Sequence, residues 1–125
     1  MSEQTFDTGT LERLRDAKEV DIETRSAAGE AHRATIWVVV DAADRVLVRS
    51  WKGSGARWYR EAVATGHAVL ALDGTASPVR VERATDPARV DACSRELLAK
   101  YGTGATARSM VREEILDTTI RLEPR

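Results

Sequence analysis

No apolar run in this chain exceeds five residues, and the densest is Ile36-Trp37-Val38-Val39-Val40. A bilayer-spanning helix needs about 20 apolar residues. A β-branched run of five, bounded by turn residues, instead predicts a central strand covered on both faces. The chain must build its core from short, mostly alternating segments.

Those segments follow in order. Residues 8–18 predict a short helix, with Leu11, Leu14 and Lys18 on one face and Asp7 or Thr8 as N-cap. Residues 20–25 alternate, with Val20, Ile22 and Thr24 on one side. After a turn at Ala27-Ala28-Gly29-Glu30, residues 33–41 carry the β-branched run and residues 45–50 the next strand. Trp51-Lys52-Gly53-Ser54-Gly55-Ala56 reads as a loop, and residues 57–65 as a helix closed by Gly66. Asp73-Gly74 between residues 67–72 and 79–83 is a hairpin signal. Pro78 suits the start of an edge strand. Asp86-Pro87 opens a helix on which Val90, Cys93, Leu97 and Tyr101 share a face. Residues 103–109 predict a loop, 110–116 a short helix and 118–122 a last strand. Six short strands with tight turns predict a mainly β, α+β fold: an antiparallel split β-barrel with peripheral helices.

The chain has 125 residues, 19 basic and 20 acidic, for a net charge of −1. This suits a single domain over 1–125, with residues 1–7 frayed. The charge balance argues against a protein built to wrap duplex nucleic acid. One cysteine, Cys93, excludes an internal disulfide, and with two histidines it offers no zinc site of usual spacing. The polar start of the chain lacks a signal peptide's features, so the expected compartment is the cytoplasm.

Charge is locally uneven. Residues 45–60 hold Arg45, Arg49, Lys52, Arg57 and Arg60 and no acid. A strand ends at Arg49-Ser50, Gly53 and Gly55 allow close backbone approach, and a helix begins at Arg57. Helix N-termini, arginines and serine hydroxyls all bind phosphate. Arg25 and Arg33 add two cations from the preceding hairpin. Trp51, Trp58 and Tyr59 offer flat surfaces for a ring system. The plainer alternative has the arginines in water and Trp58 and Tyr59 anchoring their helix. The glycines form neither a dinucleotide fingerprint nor a P-loop.

Val48-Arg49-Ser50-Trp51-Lys52-Gly53 followed by Arg57-Trp58-Tyr59-Arg60 resembles the strand–loop–helix of the deazaflavin-dependent nitroreductase-like split barrels, which share the pyridoxamine-phosphate-oxidase-like fold. With the Thr35-Ile36-Trp37-Val38 strand, the chain also resembles a small branch of uncharacterised bacterial split-barrel proteins. The resemblance extends from the first helix to the C-terminal strand. It implies a homodimer whose interface cleft holds FMN or a deazaflavin coenzyme. It also implies hydride transfer to a small organic acceptor. Cofactor contacts would fall to Arg25, Arg33, Arg49, Ser50, Lys52, Gly53, Arg57 and Trp58, and the substrate pocket to Trp51 and Tyr101.

The hairpin Ser26-Ala27-Ala28-Gly29-Glu30-Ala31-His32 departs from the family's Lys-Ser-Gly pattern, and Glu30 would repel a phosphate. A carrier module without turnover and a cofactor-free structural dimer are therefore the alternatives. Nucleic-acid binding through residues 45–60 is weaker still and predicts steep salt dependence. His67 reads as an edge histidine, His32 as a solvent-exposed one and Cys93 as core. Asp16/Glu19 and Glu113/Glu114 read as solvated carboxylates. No Ser/His/Asp or Cys/His triad is legible, and no catalytic residue is assigned.

Overall fold

The computed structural model describes residues 4–125. Helix α1 (Thr8–Asp16) is capped by Asp7, whose carboxylate accepts from Thr10 N at 2.7 Å. Strands β1 (Val20–Arg25) and β2 (Ala31–Ile36) form the first hairpin. Then come β3 (Val39–Val40), β4 (Val46–Val48), a 3₁₀ turn at Gly53–Gly55 and α2 (Arg57–Thr65). Strands β5 (His67–Leu72) and β6 (Thr75–Arg83) join through Asp73 and Gly74, both at positive φ (50° and 77°). That is the two-residue turn whose twist matches a hairpin. Helix α3 (Pro87–Tyr101) starts on an Asp86 cap with proline in its first turn. A short α4 (Ala105–Ser109), a 3₁₀ segment (Glu113–Thr118) and β7 (Ile120–Pro124) complete the chain.

All seven strands form one antiparallel sheet in the order β2-β1-β5-β6-β7-β4-β3. Its two outer strands, β2 and β3, are consecutive in the chain and separated only by Trp37-Val38. Two residues can bridge opposite edges only if the sheet curls until they meet. The fold is thus a curled half-barrel, with seven strands rather than the expected six. The extra strand arises because the 36–40 run is broken rather than continuous, and it borders the sheet instead of running through its centre. The break is stabilised from outside. Val38 N donates to the Tyr101 hydroxyl at 3.2 Å, and Val38 O accepts from Lys100 Nζ at 2.7 Å. Unpaired backbone groups at a strand break are costly unless satisfied in this way.

The expected double coverage does hold. Val38 and Val40 face one core with Ile22, Leu70, Ile120 and Leu122, while Val39 faces a second core with Leu47, Cys93 and Leu97. In β4, Val46 and Val48 join the first core and Leu47 the second. Helix α3 covers the outer face.

Other expectations need adjustment. Residues 105–109, predicted as loop, form α4, and β7 is shifted two residues toward the C-terminus from the predicted 118–122, with Thr118 ending the 3₁₀ segment. Pro78 lies inside β6, between β5 and β7, not at an edge. Its carbonyl accepts from Arg125 N, so its N side faces the end of β7, beyond the last paired residue. Of the segment 1–7 expected to fray, residues 1–3 lie outside the described residues. Gln4 N donates to the Glu123 carboxylate at 3.0 Å, and Phe6 is buried in the first core. Among the described residues no helix is long and apolar enough to cross a membrane.

Candidate functional site

Between β2, the 50–58 segment and α4 lies a cleft of about 450 Å³. This is within the range of small-molecule sites. One wall is β2, contributing His32, Arg33, Ala34, Thr35 and Ile36, continued by Trp37. The opposite wall is Trp51, Lys52, Ala56, Arg57 and Trp58, and Thr106 and Met110 close it on the α4 side.

The second wall owes its shape to a self-bonded loop. Ser50 is fully buried. Its hydroxyl donates to Gly53 O at 2.6 Å, and its N–H donates to Thr118 Oγ1 at 3.1 Å. Gly53 sits at φ +71°, a conformation that costs a side-chain-bearing residue about 1–2 kcal/mol. Helix α2 then begins at Ala56 without a side-chain cap, so its first backbone N–H groups have no partner from a side chain. Lys52 and Arg57 are exposed beside them, with no hydrogen bond or ion pair to any described residue. Arg33 lines the cleft from β2, but it leaves the strand on the face opposite to His32 and shares its charge with Glu23 at 3.5 Å and Asp21 at 3.9 Å.

The aromatic groups divide by role. Trp51 is 54% exposed, its ring tethered by Ser109 Oγ at 3.0 Å with the Arg112 guanidinium 5.8 Å from its centre. Trp58 is half-buried and meets Tyr59 edge-on at 6.1 Å, and Tyr59 is in the core. Trp37 stacks flat on Tyr101, with centroids 3.9 Å apart and planes 6° from parallel. One Trp37 face belongs to Tyr101, and the residue itself lines the cleft.

Of the sequence-predicted site residues, the structure brings Arg33, Lys52, Arg57, Trp58 and Trp51 to the cleft. Others are placed elsewhere. Arg49 touches the cleft's floor but is 1% exposed. Its guanidinium is taken up by Thr119 Oγ1 (2.9 Å), Ser94 Oγ (2.9 Å), Met110 O (3.0 Å) and Val90 O (3.1 Å). It ties α3 to the residue that ends α4 and to the one that precedes β7 rather than offering a fork to a phosphate, and burial pushes its pKa below the ordinary value. Ser50 and Gly53 shape the loop from within. Arg25 lies at the far end of the hairpin, bonded to Gly29 O at 3.0 Å. Tyr101 does not line the cleft; it is the layer behind Trp37, with its hydroxyl donating to Lys18 O at 2.7 Å. Glu30, expected to repel a phosphate, is exposed at the hairpin turn and does not line the cleft.

Sequence reasoning missed Trp37, Thr106 and Met110. Trp37 carried a signal, an aromatic ring at the end of a β run, but the run was read as unbroken. His32 is also more than a surface residue. It sits opposite Thr24 in the β1–β2 register, and both bond Glu61 of α2. Among the described residues no group of three or more His, Cys, Asp or Glu side chains could hold a metal ion.

The family model described as "Uncharacterized protein conserved in bacteria (DUF2255)" matches residues 10–122. No curated protein matches the sequence. Among solved structures, the chain is similar to HutZ of Vibrio cholerae, described as a heme storage protein. The two share 10% identity over 98% of this chain and 92% of that one, at a TM-score of 0.71. It is similar to a putative pyridoxamine 5′-phosphate oxidase from Listeria innocua, with 10% identity, coverage of 94% and 91%, and TM-score 0.66. A third, described as an F420 reductase, shares 15% identity over 96% of each chain at TM-score 0.61. With identities of 10–15%, these superpositions establish a shared split-barrel fold and nothing further.

Proposed function

We propose, from the premise that this chain belongs to the DUF2255 family of uncharacterized bacterial proteins, that its cleft binds a planar, phosphate-bearing cofactor of the flavin or deazaflavin kind. The protein then acts as an oxidoreductase on a small organic acceptor. One observation carries this reading: two cations that form no hydrogen bond or ion pair with a described residue stand, with an uncapped helix start, in the same cleft as three tryptophans. Lys52, Arg57 and the first N–H groups of α2 would hold phosphate, with Arg33 as a weaker third cation. Trp37, Trp51, Trp58 and Met110 would enclose the ring. Hydride transfer is the chemistry such a cofactor supplies when bound. The chain's own work is to bind, orient and shield it. The names of two structural relatives, the F420 reductase and the putative pyridoxamine 5′-phosphate oxidase, agree with this ligand class.

The cleft's β2 wall is an edge strand, hydrogen-bonded only to β1. This supports a homodimer in which a second copy covers the open side. Titration of the purified protein with FMN and with the deazaflavin coenzyme, read by fluorescence at two salt concentrations, tests the reading. Saturable binding of one of them, weakened by salt, is the expected result. Binding without oxidation of the reduced cofactor across varied acceptors would favour a carrier. No binding would favour a cofactor-free structural dimer.

A further inference from the structure

Two neighbouring strands and one helix converge on a single carboxylate beside the cleft. Thr24 and His32 are directly paired across β1 and β2, so their side chains leave the sheet on the same face. Glu61, one turn into α2, receives both. Thr24 Oγ1 donates to Glu61 Oε1 at 2.8 Å, and His32 Nδ1 lies 3.1 Å from Oε1 and 3.0 Å from Oε2. Side-chain exposure is 12% for Glu61 and 25% for His32, so the pair is shielded but reachable. Desolvation pushes the Glu61 carboxyl up, but the Thr24 hydroxyl and the His32 ring outweigh it, with Arg57 adding to them, and keep it below its usual range. Glu61 is therefore an anion, and an anion on Nδ1 makes Nδ1 the donor. His32 Nε2 bonds no described residue, and His32 lines the cleft beside Arg33.

We infer that His32 is the proton donor and acceptor of this cleft, and that Glu61 and Thr24 are its positioning residues. The inference rests on the oxidoreductase reading above. In such a reaction the bound reduced cofactor would supply a hydride to one atom of the acceptor's double bond and be left oxidised by two electrons. The displaced electron pair moves to the other atom, which takes a proton from Nε2 of the imidazolium. The other proton stays on Nδ1, which donates to the Glu61 carboxylate, and Nε2 regains its proton from water. The charged group on the ring is Glu61 of α2, itself acted on by Arg57 of the same helix; Arg33 and Glu23, the adjacent cross-strand pair, leave the hairpin on the opposite face.

The first test needs no cofactor. The chain has two histidines, so His67→Gln leaves His32 as the one imidazole to observe. By ¹⁵N NMR, the neutral ring should carry its proton on Nδ1, with Nε2 bare. Glu61→Leu should shift it toward the Nε2–H form. A ring that is already Nε2–H in the parent protein overturns the inference. The second test uses the loaded protein. His32→Gln should keep cofactor affinity within about twofold while turnover falls about 10²–10⁴-fold, the usual contribution of a general acid. Glu61→Gln should give a smaller loss and alter the pH profile. Unchanged turnover in His32→Gln, with cofactor bound, refutes the proton role and leaves the oxidoreductase reading standing. Absence of cofactor binding by the parent protein refutes both. Iron porphyrin binding whose axial-ligand spectrum disappears in His32→Gln would assign Nε2 to a metal instead, and overturn the proton role.

Discussion

Lys52 and Arg57 are the cations on which phosphate binding should depend most, and their removal gives a graded prediction. Neither makes a hydrogen bond or ion pair with a described residue, and Arg57 gives part of its field to the Glu61 carboxylate one turn along α2. A charge-assisted contact is worth ~1.5–3 kcal/mol. Both side chains are exposed, and screening places them at the low end of that range. Each single alanine variant should then weaken FMN or deazaflavin binding by about tenfold, and the double variant by about a hundredfold. Arg33→Ala should cost less than about fivefold, because Glu23 and Asp21 already hold part of its charge. Arg25→Ala should have no effect, since Arg25 lies outside the cleft. Fluorescence titration at low and high salt measures all five variants, and the double variant should also lose most of the salt dependence. The reasoning fails if Arg25→Ala and Lys52→Ala weaken binding equally. It fails equally if the double variant binds within twofold of the parent.

Three further outcomes follow from the cores. Tyr101→Phe keeps the stack on Trp37 but removes the hydroxyl that serves Val38 N and Lys18 O, and should lower stability by ~1–2 kcal/mol in urea unfolding. Burial lowers the Lys100 pKa from 10.5 to about 8. Between those values the unfolded chain binds the extra proton, so this residue makes stability rise with pH from about 8 to about 10.5; below 8 it contributes no slope. In Lys100→Met that rise should vanish from a pH series of thermal unfolding curves. Burial pushes the Cys93 thiol up to about 11, and the side chain is inaccessible. A thiol reagent should label none in the native protein and one per chain in denaturant.

Much of this architecture is local and so was legible in the sequence. The Asp73-Gly74 turn needs positive φ at both positions, which these residues accept at little cost. The alternation of Val20, Ile22 and Thr24, the Asp86-Pro87 helix start and the Gly66 stop are likewise decided within a few residues. The basic 45–60 segment marked a local cluster of cations, and Lys52, Arg57 and Trp58 of it line the cleft. What the sequence could not determine depends on contacts between residues far apart in the chain. Arg49 and Lys52 look alike as loop-flanking cations. Only the approach of Ser94, Met110 and Thr119 converts Arg49 into a core crosslink. The 36–40 run looks continuous until Lys100 and Tyr101, more than sixty residues away, supply the bonds that let it break. That break makes the seventh strand, closes the curl and brings Trp37 to the cleft with Tyr101 behind it. His32 reads as a surface histidine because its partner, Glu61, sits on a helix that only tertiary packing brings within 3.0 Å. Turn and cap energies act over a few residues. Whether a polar side chain is free or engaged is set by which distant groups packing delivers to it.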